Sequence, residues 1–159
     1  MSLSLHVSAS SPLRVLLLGA SGTIGRATLK ELQQRGHRVV CLVRPSKQVP
    51  QQVHASSLCE VAQIEADVTS AASVQQALQS KTFDAVVSCM ASRSGLPSDA
   101  WAIDHDAHLH VLHAARQSGV KQFVLLSAIC VQKPRLAFQH AKLTFERRSE
   151  EHTSELQSH

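Results

Sequence analysis

An α/β fold built on a doubly wound parallel β-sheet is predicted from three features of this 159-residue chain. Apolar runs of strand length alternate with segments carrying apolar residues at helical spacing. That order makes β-α-β units with right-handed crossovers. The runs are apolar throughout, as expected of strands covered on both faces. The first of them, Val15-Leu16-Leu17-Leu18, passes directly into Gly19-Ala20-Ser21-Gly22-Thr23-Ile24-Gly25. A strand order of 3-2-1-4-5 follows for such a Rossmann-type sheet, here expected to be incomplete at the C-terminus.

Residues 1–12 are Ser-rich and weakly apolar, and are expected to be a flexible tail. Leu13–Leu18 forms the first strand. Ile24–Arg35 places Ile24, Ala27, Thr28 and Leu32 on one helical face and stops at Gly36. Arg38–Val43 is the second strand, Val49–Ser57 a polar connection and Val61–Ala66 the third strand. Ala71–Gln79 is a short helix with Ala72, Val74, Ala77 and Leu78 as its apolar positions. Asp84–Cys89 is the fourth strand, and Met90–Asp99 is a Ser-, Gly- and Pro-containing loop. A long helix over Trp101–Gln117, a fifth strand over Gln122–Ser127 and a helix over Leu136–Arg147 complete the domain, 13–147. The remainder, 148–159, is polar and has no apolar face. It resembles the conceptual translation of a sequencing-library adapter and is expected to be a non-native tail. The natural sequence would then be cut inside a helix, and the chain by itself is expected to be inactive.

Composition narrows the functional classes. Hydrophobic residues make up 43% of the chain and charged ones 18%, which suits a globular protein. The net charge of +4 comes from scattered basic residues, so no dedicated nucleic-acid surface is expected. Cys41, Cys59, Cys89 and Cys130 form no C-x-x-C pair and read as reduced, mostly buried thiols. No apolar stretch is long enough to span a membrane. A cytoplasmic location is expected, or the plastid stroma in a eukaryotic phototroph, although no clear transit peptide is present.

The glycine turn carries the chemistry. Gly19, Gly22 and Gly25 stand at three-residue intervals, G-x-x-G-x-x-G rather than G-x-G-x-x-G. Gly19 permits a tight exit from the strand, Gly22 leaves room for a pyrophosphate, and Gly25 lets the helix pack close. The helix N-terminus adds unpaired N–H donors and a partial positive charge. Ser21, Thr23, Ile24 and Arg26 complete this candidate cofactor-binding turn. At the end of the second strand, where an acid would select NAD, stands Arg44, followed by Lys47. A guanidinium there suits a 2′-phosphate, so NADPH is the expected cofactor. Asp67 and Val68, after the third strand, are candidate contacts to the adenine; a capping role for Asp67 or Thr69 on the next helix is the alternative. Ser88-Cys89-Met90-Ala91-Ser92 is expected to border the ribose and nicotinamide, with Ala91 the candidate contact.

These features, with Phe123-Val124-Leu125-Leu126-Ser127, resemble the short-chain dehydrogenase/reductase superfamily in its atypical branch. Ser127-Ala128-Ile129-Cys130-Val131-Gln132-Lys133-Pro134, Phe138-Gln139-His140-Ala141-Lys142-Leu143 and Val87-Ser88-Cys89-Met90-Ala91-Ser92-Arg93 with Trp101-Ala102-Ile103-Asp104 resemble, more narrowly, its divinyl chlorophyllide a 8-vinyl reductase family. The resemblance covers 13–146 and implies NADPH-dependent reduction of the 8-vinyl group of a small-molecule substrate, divinyl chlorophyllide or protochlorophyllide, to ethyl. It also implies sites. Lys142 matches the lysine of the superfamily's Y-x-x-x-K motif and is the candidate catalytic residue, binding the ribose and stabilising charge. Ser127 matches its strand-end serine. The tyrosine position is Phe138, and the chain contains no tyrosine. A second reading is therefore a non-catalytic NADP(H)-binding module, a redox sensor or assembly factor of the same branch.

His105, His108, His110 and His113 fan over the long helix without metal-ligand spacing, so no metal is expected. They are expected to form a solvated face opposite Ile103, Ala107, Val111 and Ala114. Trp101 is expected to anchor the helix start by packing, or else to line a pocket for a flat macrocycle.

Overall fold

β1 (Arg14–Leu18) lies at the centre of a five-stranded sheet. In the computed structural model, which describes residues 11–45 and 61–156, the strand order is β3-β2-β1-β4-β5 and every pairing is parallel. β2 (Arg38–Val43) and β3 (Ala62–Glu65) extend the sheet on one side; β4 (Ala85–Ser88) and β5 (Gln122–Leu125) extend it on the other. The polar connection Val49–Ser57, Lys47 and Cys59 lie outside the described residues.

Both faces of β1 are apolar, and the period of two sorts its residues. Leu16 and Leu18 pack with Val40, Leu42 and Val86 under α2 (Ala71–Leu78) and α4 (His108–Gln117). Leu17 packs with Val39, Cys41 and Leu29 under α1 (Thr23–Gln34) on the opposite face. Burial pushes the Cys41 thiol up to about 11. The expectation of mostly buried cysteines is only partly met, because Cys89 is half-buried and Cys130 is exposed.

Two elements differ from their expected form. The helix before β5 starts at Pro97, not Trp101: α3 (Pro97–Ala100) has a proline at its first turn, where no N–H is needed. It runs without interruption through a π-helical segment, Trp101–Ala107, into α4. The last helix, α5 (Ala137–Leu156), continues past Arg147. No glycine or proline follows to stop it, and a helix already nucleated adds residues cheaply. α5 packs against the π-helical segment, α3 and α4. Its Phe145 ring meets Phe123 and His108.

Candidate functional site

The carboxyl ends of all five strands open on one edge, and the glycine turn forms its centre. Gly19 leaves β1 at φ +74°, in the left-handed region, and a Cβ there would come within 2.8 Å of the Cys89 and Met90 backbone. A Cβ on Gly25 would lie 2.0 Å from the Gly19 carbonyl oxygen. Both positions therefore require glycine to bring turn, strand and helix together. Gly22 differs. Its backbone is extended, and the nearest atom to an added Cβ is the Gly19 oxygen at 3.5 Å. Gly22 caps α1, with no side-chain cap and no acid in the first turn. The first turn of α1 therefore has no side-chain acceptor of its own for its N–H groups. Ser21, Thr23, Ile24 and Arg26 surround this turn and are exposed.

Arg44 is exposed just beyond β2. Asp67 follows β3. Hydrogen bonds from the Thr69 hydroxyl at 2.7 Å and N–H at 3.0 Å hold its carboxyl below the usual range, with the Arg44 charge adding to the effect. Hydrogen bonds from the Ser94 N–H and hydroxyl and then the Arg93 N–H hold the Asp99 carboxyl below the usual range, with a small contribution from the Arg44 charge. Ser70 caps α2 by accepting from the Ser73 N–H, so neither Asp67 nor Thr69 is the cap. The Val68 carbonyl accepts from His110 Nδ1 at 3.0 Å.

Lys142 is not a solvated helix lysine: it is 3% exposed. Its ammonium donates to the carbonyls of Met90 at 3.4 Å and Leu126 at 3.3 Å, at the ends of β4 and β5. Asp104 Oδ1 lies 3.1 Å away as an ion-pair contact, and Asp104 is wholly buried. Ala91 is exposed directly after Met90. Ser127 is exposed, and its hydroxyl donates to Glu146, one turn beyond Lys142 on α5. Phe138, one turn before Lys142, is half-buried. The edge therefore gathers the glycine turn, Ala91, Ser127 and Lys142 around β1, β4 and β5, with Arg44, Asp67 and Val68 beyond β2 and β3.

The histidines do not form a solvated face. His105 and His108 are buried, His110 is half-buried and His113 is exposed. At about 3.6 residues per turn His108 falls on one face with Val111, Leu112 and Ala115, all buried, whereas His113 lies on the far side of the helix. His108 Nδ1 meets the Ile103 carbonyl at 2.8 Å, which can only accept, so Nδ1 carries the proton. Nε2 is then the acceptor for the Ser88 hydroxyl, also at 2.8 Å, and that oxygen accepts from the Met90 N–H. Burial, aided by the Lys142 charge, lowers His108 to about 4. Trp101 is partly exposed, with its ring edge on His105 at 5.4 Å. Among the described residues no three metal-ligating side chains gather.

Sequence reasoning missed Asp104, His108 and Glu146. A signal for Asp104 was present: a lysine buried on a helix demands a counter-charge, and Asp104 interrupts an otherwise core-facing stretch. His108 carried one too: it stands three and four residues before the apolar Val111 and Leu112, on the face that α4 buries.

Residues 19–157 match the model of an NAD(P)H-binding family. The divinyl chlorophyllide a 8-vinyl-reductase, chloroplastic, of Oryza sativa subsp. indica is 45% identical over 144 residues, covering 87% of this chain and 35% of that protein. The photosystem II assembly factor Ycf39 of Synechocystis is 28% identical over 119 residues, 74% of this chain and 34% of that protein. The chain thus spans about a third of the length of the curated relatives it matches. Among solved structures, the Bordetella bronchiseptica enzyme WbmG in complex with NAD superposes with a TM-score of 0.68 at 22% identity, over 89% of this chain and 50% of that one. That likeness is one of fold.

Proposed function

Because the chain belongs to the NAD(P)H-binding family, we propose that it is the NADPH-holding part of a reductase that converts the 8-vinyl group of divinyl chlorophyllide or protochlorophyllide to ethyl. The observation that carries the cofactor reading is the turn at Gly22, where no side chain stands beside the uncapped N–H groups of α1. The substrate class rests on the likeness to the rice reductase over most of this chain. A cytoplasmic or plastid-stromal site of action goes with this reading; no helix among the described residues is long and apolar enough to cross a membrane.

NADPH, when bound, supplies the hydride for a conjugated C=C bond. The first turn of α1 and Gly22 hold its diphosphate. Arg44 receives the 2′-phosphate with forked hydrogen bonds. Asp67, Val68 and Ala91 line the remaining nucleotide contacts. Lys142 presents a positive charge at the ends of β4 and β5, where it orients the cofactor ribose and stabilises charge entering the macrocycle. Phe138 has no proton to give, and Ser127 with Glu146 is the hydroxyl–carboxyl pair at hand.

A second reading, an NADP(H)-binding module without catalysis, draws support from the absence of tyrosine and from the likeness to the assembly factor. The test of the cofactor is fluorescence titration with NADPH and NADH. Arg44→Ala is expected to weaken NADPH at least tenfold and leave NADH nearly unchanged; an unaltered preference overturns the role of Arg44. Oxidation of NADPH by divinyl protochlorophyllide, measured on the longer protein that carries this domain, separates the two readings.

A further inference from the structure

The buried Lys142–Asp104 pair has an unusual setting. Replacing a buried ion pair with apolar residues is often neutral or stabilising, so such a pair is weak evidence of a stabilising role. This one stands at the carboxyl edge of the sheet rather than deep in the core. Asp104 reaches it from the middle of the π-helical segment, a departure from α-geometry that is frequent at functional sites. Its Oδ2 accepts from the Ser92 N–H at 3.3 Å, which fixes the carboxylate to the loop after β4. Its Oδ1 is buried and has no aligned hydrogen-bond donor, although Nζ lies 3.1 Å away. A buried acceptor in that state calls for an explanation.

The lysine side shows the same incompleteness. Its two hydrogen bonds, at 3.3 and 3.4 Å, are longer than the usual N–H···O distance of about 2.9–3.0 Å. They are weak contacts. The ion-pair contact has no neutral substitute, because removing one partner leaves a bare charge in the interior.

We propose that Asp104 is a positioning residue, which holds the Lys142 ammonium at the ends of β4 and β5 so that it exchanges a backbone carbonyl for a ribose hydroxyl of the nicotinamide cofactor. This rests on the cofactor reading of Lys142. Asp104 touches no ligand; it acts through Lys142. The π-helical segment brings a carboxylate to a place where the sheet edge alone offers only carbonyls.

A double-mutant cycle on the full chain tests this, with NADPH affinity read by nicotinamide fluorescence and folding by circular dichroism. Lys142→Met is expected to raise the NADPH Kd at least tenfold. Asp104→Asn keeps the shape and the acceptor for Ser92, and is expected to raise it to a similar degree. In the Lys142→Met background, Asp104→Leu is expected to change Kd less than twofold, since the partner through which Asp104 acts is gone. A role in packing alone would add to the first loss instead. Should Asp104→Asn fail to fold, the two apolar variants carry the test, because the charge pair is then removed whole. Unchanged affinity in folded Asp104→Asn, beside a weakened Lys142→Met, overturns the positioning role. So does a further tenfold loss from Asp104→Leu in the Lys142→Met background. Wild-type affinity in Lys142→Met overturns the cofactor reading of Lys142 itself, and the proposal with it.

Discussion

His108 shows how one side chain ties the site to the fold. Its ring joins the end of β4, through Ser88, to the π-helical segment, through the Ile103 carbonyl. The neutral ring with the proton on Nδ1 serves both bonds, donating to the carbonyl and accepting from the hydroxyl. In the folded chain the group is lowered to about 4 from an unfolded value of 6.5. Between those values the unfolded chain binds a proton that the folded chain refuses. Stability from this group is therefore complete above about pH 7 and is lost as pH falls, by about 3 kcal/mol at pH 4. Thermal melts at pH 7.5 and pH 5 should show a marked drop in Tm, and His108→Gln should flatten that dependence. An equal pH slope in the variant would place the titrating group elsewhere.

At the scale of elements, the strand–turn–helix unit divides its three glycines between two tasks. Gly25→Ala drives a Cβ to 2.0 Å from the Gly19 oxygen, a backbone atom that cannot yield without moving the turn. The expected cost is about 4 kcal/mol or more, enough to unfold a marginal domain. Gly22→Val meets only ordinary contact, and its extended backbone suits valine. That variant should melt within a few degrees of wild type and bind NADPH at least a hundredfold more weakly, because the side chain takes the diphosphate's place. Comparing melts and titrations for the two variants checks the division. Full NADPH affinity in Gly22→Val would move the diphosphate away from this turn.

Across the whole molecule, the two faces of the sheet are unequally covered. α2, α4 and α5 lie on one face. On the other, α1 shields β1 and β2, Val87 of β4 packs at the margin of that cluster, and Val124 of β5 is exposed. Val87 pairs in register with Val124, which is 53% exposed, and Leu126 follows on the same face. An uncovered apolar sheet surface invites association. The chain alone should bind the dye ANS under native conditions and elute in size-exclusion chromatography as concentration-dependent oligomers. Val124→Lys should reduce both signals with little change in NADPH affinity. A strictly monomeric chain that binds no dye would show that this face is covered in solution.

Much of this protein was legible from local pattern. Continuous apolar runs separated by helical spacing determined a parallel sheet in the order 3-2-1-4-5, because strand burial and crossover handedness leave few other solutions. Glycine spacing placed the turn, since only glycine satisfies the left-handed φ at Gly19 and the contact at Gly25. The surroundings of Lys142 were not legible. Its partners come from Met90, Asp104 and Leu126, far apart in sequence and joined only by folding. The histidines were misplaced because they do not share one face: at constant helical pitch His108 aligns with the buried Val111 and Leu112, and His113 lies opposite. The extension of α5 through Leu156 likewise escaped a reading by apolar periodicity: a polar segment continues a helix when the preceding turns are already packed and nothing in it breaks the hydrogen-bond ladder. Tertiary packing therefore decided which charges are buried, which register the helix before β5 adopts, and hence how the lysine at the sheet edge is held.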